Sequence, residues 1–132
     1  MERVYCPNHP VYKKWSELIM KIKDIAALLN AEVLTPEISV ETEVHTACGS
    51  DMMSDVLAYV KDQAVLVTGL NNPQVIRTAD MMDMVCVVYV RGKMPDALSL
   101  ELARESNICV LTTKTPMFAC CGILYENGLR GA

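Results

Sequence analysis

Residues 84–113 read MVCVVYVRGKMPDALSLELARESNICVLTT, and their pattern decides the fold. The run at 84–90 is apolar without alternation, which marks a strand covered on both faces. Arg91-Gly92-Lys93 breaks it. Pro95 then opens a helix, DALSLELARES, and ICVLTT at 108–113 is a second apolar strand. Strand, helix and strand in this order make a parallel crossover the default. Upstream, AVLVTG at 64–69 is another buried strand. Asn72 as cap and Pro73 at the first helical position start the helix PQVIRTADMMD. Before that, VETEVHTA at 40–47 reads as a strand, and Ser50 as the cap of DMMSDVLAYV. In that helix Met52, Met53, Val56, Leu57 and Val60 share an apolar face. Earlier still, Ile22, Ile25, Ala26, Leu28 and Leu29 recur at helical spacing, followed by a short strand AEVLT that Pro36 closes. Downstream, Thr115-Pro116 caps a last helix ending near Gly128. The expected architecture is a three-layer α/β/α domain with a mostly parallel sheet of about five strands.

The chain has 132 residues, 52% of them apolar, which suits one domain with a substantial core. Its net charge of −4 and lack of any basic run argue against nucleic acid or an anionic membrane as partner. No apolar stretch approaches the roughly 20 residues that span a bilayer. The opening MERVYCPNHPVYKKW lacks the order of a signal peptide, so a cytoplasmic location is expected. Residues 1–19, with Pro7, His9, Pro10 and Trp15, read as an N-terminal extension, and 20–132 as the domain.

The six cysteines, Cys6, Cys48, Cys86, Cys109, Cys120 and Cys121, contain no C-x-x-C pair. Cys86 and Cys109 lie in apolar runs, and Cys120 and Cys121 point about 100° apart on a helix. They read as structural thiols, with neither metal nor cofactor expected. There is no G-x-x-x-x-G-K-[ST] and no G-x-G-x-x-G, which argues against a kinase or dinucleotide enzyme. Asp51 and Asp55 at i and i+4 would share a helix face, where carboxylates complement the helix dipole. His45 and Cys48 lie three apart on a strand and point to opposite faces, a poor nucleophile–base pair. The methionines Met52, Met53, Met81, Met82 and Met84 read as core or interface packing, which makes a homodimer a secondary expectation.

Ligands of open α/β sheets bind beyond the carboxyl ends of the strands, where helix N-termini offer N–H groups. Four such junctions are legible, at 48–51, 68–72, 90–93 and 112–115, and most are rich in Ser, Thr, Asn and Gly. The candidate ligand-binding residues are Gly49, Ser50, Asp51, Thr68, Gly69, Asn71, Asn72, Thr112, Thr113 and Thr115. No catalytic residue is assigned.

The phrases KIKDIAALLNAEVLT, GSDMMSDVLAYVKDQAVLVTG and VVYVRGKMPDALSLELARESNICVLTT resemble the DRTGG domain family over 20–128. Where the family's Asp-Arg signature would follow AVLVTG, this chain has Leu70-Asn71-Asn72-Pro73. The resemblance implies an α/β/α domain like the N-terminal domain of HPr kinase/phosphorylase. Such domains accompany phosphate acetyltransferases and CBS-containing pyrophosphatases as accessory, often dimeric units. The chain resembles standalone copies found in anaerobic bacteria, sometimes beside iron hydrogenase genes. The kinase activity in the first comparison needs a P-loop, which is missing here.

The expected function is that of a non-catalytic regulatory domain, a homodimer binding a small polar or phosphorylated, nucleotide-like ligand at the strand ends. One alternative is an interaction subunit docking on a partner enzyme, tied to iron hydrogenase or anaerobic energy metabolism. Another is a small hydrolase or transferase using Cys48, His45 or Asp51.

Overall fold

The computed structural model describes residues 19–60 and 62–131. In chain order its elements are β1 (Met20–Lys21), α1 (Ile22–Leu28), β2 (Glu32–Val33), β3 (Glu43–Val44), β4 (Thr46–Gly49), α2 (Met53–Tyr59), β5 (Ala64–Thr68), α3 (Gln74–Met81), β6 (Cys86–Tyr89), α4 (Ala97–Glu105), β7 (Cys109–Thr112) and α5 (Met117–Glu126). The three apolar runs are β5, β6 and β7, and every residue in them is buried. They form the middle of a five-stranded sheet of order β2-β7-β6-β5-β4. β4 through β7 run parallel, with Leu66 opposite Val87 and Val87 opposite Val110, while β2 pairs antiparallel with β7.

Alternation along the strands splits the core in two. Val65, Val67, Cys86, Val88, Cys109 and Leu111 meet Ile22, Ile25 and Leu29 of the first helical segment and Cys120 and Leu124 of α5. On the opposite face Leu66, Val87, Tyr89 and Val110 meet Val56 of α2, Val75, Ile76 and Ala79 of α3, and Ala103 of α4. Each such aliphatic side chain contributes about 1.5–3 kcal/mol by leaving water. The three crossover helices α2, α3 and α4 therefore share one face, and α1 and α5 cover the other.

The structure corrects several local expectations. VETEVHTA is two strands: Glu43–Val44 pairs with β1 in a separate antiparallel sheet, and Thr46–Gly49 joins the main sheet. The break falls at His45, whose N–H donates to the Gln63 carbonyl. AEVLT forms only a two-residue strand, because Thr35 leaves the sheet to lodge its buried hydroxyl beneath β7. There it accepts the Val110 N–H at 3.0 Å and donates to Cys109 Sγ at 3.7 Å. Ser50 does not cap α2, which begins at Met53; its hydroxyl accepts the Met52 N–H in the preceding turn. Thr115 does not cap α5, where Pro116 holds the cap position and no side chain caps the N-terminal N–H groups. Asn72 does not cap α3 either: Pro73 holds the cap position and the helix begins at Gln74, while the Asn72 side chain accepts the Gln74 N–H at 3.0 Å in the turn before it. The side chain that caps α4 is Asp96, accepting the Ser99 N–H at 2.7 Å.

Met84 is buried and Met53 and Met82 pack partly against the α2–α4 face, whereas Met52 and Met81 are exposed. The five described cysteines are all free thiols, with Cys86, Cys109 and Cys120 buried. Cys6 and most of the expected N-terminal extension lie outside the described residues. Among those residues no helix is long and apolar enough to cross a membrane.

Candidate functional site

The site follows from where the helices go. After β6 the chain turns to the face of α2, α3 and α4; after β7 it turns to the opposite face, into α5. Where neighbouring parallel strands send their connections to opposite faces, a crevice opens beyond their carboxyl ends. No such divergence occurs between β4, β5 and β6, whose following helices share one face.

A cavity of about 330 Å³ lies at this divergence. Gly92 and Met94 line it from the segment after β6, and Thr112, Thr113, Lys114 and Thr115 from the end of β7. Asn30 and Glu32 wall it from the turn between α1 and β2, because β2 runs antiparallel beside β7 and brings Glu32 opposite Thr112.

The two segments are fastened to each other. Arg91 N–H donates to the Thr115 carbonyl at 3.1 Å, and Gly92 N–H to the Thr113 carbonyl at 2.8 Å. Thr112 hydroxyl donates to the Lys93 carbonyl at 2.8 Å. Thr113 hydroxyl donates to the Leu29 carbonyl at 2.7 Å and accepts the Thr115 N–H at 3.2 Å. Arg91 and Gly92 both adopt left-handed backbone, with φ of 55° and 70°, which makes the reversal tight and favours glycine at the second position. With Thr112 and Thr113 spent on the scaffold, the groups left to meet a ligand are the Lys114 ammonium, Glu32 carboxylate, Asn30 amide and Thr115 hydroxyl. Glu32 and Lys114 form no ion pair among the described residues. The cavity thus offers one cationic and one anionic group, with Met94 as an apolar wall.

A second cluster sits at the end of β5. Asp51 accepts the Thr68 hydroxyl at 2.9 Å and the Gly69 N–H at 2.7 Å on one carboxylate oxygen. The Gly69 N–H holds this carboxyl below its usual range, helped by the Thr68 hydroxyl, the Leu70 N–H and the Arg91 guanidinium, and opposed by partial burial. Arg91 lies over Gly69, where a Cβ would stand 2.9 Å from its guanidinium nitrogen. The N–H group that could greet an anion at β5 is therefore already occupied by a carboxylate of the chain itself.

The candidate residues accordingly part company. Thr112, Thr113 and Thr115 gather at the cavity. Asp51, Thr68 and Gly69 form the neighbouring cluster. Asn71 ties the two loops together by donating from Nδ2 to the Met94 carbonyl at 3.0 Å. Ser50 and Asn72 serve turns, and Gly49 lies beneath Cys121 of α5. Sequence reasoning missed Asn30, Glu32 and Met94 and did not select Gly92 or Lys114. The only local signal for the first pair is Asn30, whose φ of 49° marks a sharp turn out of α1.

The catalytic constellations do not assemble. Asp51 precedes α2 and folds back on β5, so it does not share a helix face with Asp55. His45 faces the exposed Asp62 carboxylate at 3.5 Å, and burial raises the Cys48 thiol above its usual pKa, the wrong direction for a nucleophile. Among the described residues no group of three His, Cys, Asp or Glu is placed to hold a metal ion.

Residues 24–126 match the model of the DRTGG domain, and the chain belongs to that family. Its fold is similar to a crystal structure of the CBS and DRTGG domains of the regulatory region of Clostridium perfringens pyrophosphatase, in complex with the activator diadenosine tetraphosphate. The TM-score is 0.65 at 17% sequence identity, over 82% of this chain and 47% of the other. This chain therefore spans about half of the solved regulatory region. No curated protein matches it.

Proposed function

We propose that this chain is a non-catalytic regulatory domain that binds a small phosphorylated, nucleotide-like ligand in the crevice between the ends of β6 and β7. The observation carrying this reading is the cavity itself. It falls at the one place among β4 to β7 where the connections diverge, and it is large enough for a small ligand. Lys114 would meet the phosphate. Glu32 would accept from a base edge and Asn30 would donate to it, and Met94 would lie against its face. A solved domain of like fold belongs to a regulatory region that binds a dinucleoside tetraphosphate, which supports testing that class first. The working unit in this reading is a homodimer, acting on an enzyme of its host.

Thermal unfolding of the full chain against diadenosine tetraphosphate, adenine and guanine nucleotides, acyl phosphates and sugar phosphates tests the ligand. At a hundred times its dissociation constant a ligand adds about 2.7 kcal/mol. For a domain of this size that raises the midpoint by about ten degrees. Lys114→Ala, at an exposed position, should abolish the shift without changing the unliganded midpoint. No shift with any of these compounds would replace this reading with that of an interaction subunit, which the exposed aromatic residues of α5 favour.

A further inference from the structure

The described Lys and Arg side chains fall into two groups. Lys21 and Lys23 pair with Glu41, Arg104 pairs with Glu37, and Arg130 lies on the Tyr125 ring. Arg77, Arg91, Lys93 and Lys114 form no ion pair among the described residues. Arg77 sits on α3, whereas the other three stand on the two fastened segments beyond β6 and β7. Carboxylates lie nearby, but Asp51 already accepts the Thr68 hydroxyl and the Gly69 N–H, and Asp96 accepts the Ser99 N–H. Glu32 lines the crevice from the opposite side, at β2. The charge along the strand ends is therefore ordered: anionic at β2, cationic from β7 across β6 toward β5.

Arg91 is the cation whose placement is most specific. Its backbone is left-handed, with φ of 55°, a conformation that Gly or Asn adopts at less cost, so the turn alone does not call for arginine. Its guanidinium reaches over the end of β5, where a Cβ on Gly69 would stand 2.9 Å away, and it is drawn there by the Asp51 carboxylate. No hydrogen bond fixes it, so its five N–H donors have no acceptor among the described residues. Lys114 lies on the other side of β6, two strand spacings away, on the order of 10 Å. Between them is Gly92, where a Cβ would meet nothing within 4 Å, so the way across is open.

We infer that the ligand of the crevice carries a chain of two or more phosphates, and that Arg91 binds the far end of that chain. This rests on the reading of the crevice as a phosphate-binding site and names the ligand class within it. Glu32 repels phosphate at the β2 side and so directs the chain past Lys114 and over Gly92. A monophosphate on Lys114 leaves Arg91 at Gly69, whereas a longer chain brings it an acceptor. The guanidinium fork can bond two phosphate oxygens at once, which the lysine ammonium does only as a point charge. Asp51 holds the unliganded side chain by a solvent-screened attraction, which a polyphosphate of higher charge outweighs.

Titration calorimetry of the full chain with AMP, ATP and diadenosine tetraphosphate, in buffer without divalent cations, tests this. Wild type should bind ATP at least about tenfold more tightly than AMP. Arg91→Gln, at an exposed position, should bring the two affinities to within about threefold of each other, and Arg91→Lys should keep part of the preference. A preference for ATP that survives Arg91→Gln, even with both affinities lowered, would overturn the role of Arg91 and leave the crevice reading standing. Equal affinity of wild type for AMP and ATP would likewise overturn this inference alone. Binding of none of the three would overturn it together with the nucleotide reading of the crevice.

Discussion

Gly49 is the tightest point between β4 and α5: a Cβ there would stand 2.5 Å from Cys121 Sγ. Gly49→Ala should therefore cost about 1–3 kcal/mol by overpacking. Adding Cys121→Ala should restore most of that loss, as measured by denaturant unfolding of the single and double variants. Gly69→Ala is the instructive contrast, since its Cβ would crowd the end of the Arg91 side chain, which can swing aside, and meet the Asp51 carboxylate at an ordinary 3.7 Å. Asp51 gives a pH signature. Its carboxyl is held below the usual range in the folded chain, so its stabilisation is complete above the unfolded pKa of about 3.9. That stabilisation fades as pH falls through the folded pKa. Asp51→Asn should cost about 1 kcal/mol near pH 7, the group being largely solvated, and the gap from wild type should close as the pH drops below about 4. At this scale the sequence was informative about residue type but poor about assembly. Thr112, Thr113 and Thr115 were legible because they directly follow an apolar run. Glu32 was not, because only the antiparallel register of β2 on β7 brings it to Thr112.

At the scale of elements, continuous apolar runs made β5, β6 and β7 legible, since full burial leaves no room for a polar alternation. Short elements were less so. β2 has two residues, and a two-residue strand is fixed by its partner, not by its own composition. The caps divide the same way: Asp96 bonds an N–H of its own helix, whereas Ser50, Asn72 and Thr115 serve the turns ahead of theirs. Thr113 shows how the elements are locked. Its buried hydroxyl bonds the carbonyl of Leu29 behind α1 and the N–H of Thr115 ahead of α5. Thr113→Val should leave both groups short of a partner, costing about 1–3 kcal/mol. Hydrogen exchange should quicken at residues 113–116 before it does in the strands, because the segment leading into α5 loses its anchor. Unchanged exchange in that segment would show that the hydroxyl does not hold it.

At the scale of the whole molecule, the parallel strands follow the chain in simple order, with three crossover helices stacked on one face. That order was inferable from the alternation of runs and helices. The consequence for function was not, because it depends on α5 returning across the opposite face to pack on β4 and β5. Only that return separates the ends of β6 and β7 and makes their junction the crevice, in preference to the other strand ends. It also leaves the outside of α5 as apolar surface.

The central claim is that ligand enters this crevice. An amide nitrogen–proton correlation spectrum of the labelled full chain, titrated with diadenosine tetraphosphate and then with AMP and ATP, tests it most directly. The account predicts saturable shifts concentrated at residues 30–32, 92–94 and 112–115, lost in Lys114→Ala. Saturable shifts centred on any other part of the surface, with those residues unmoved, would contradict it.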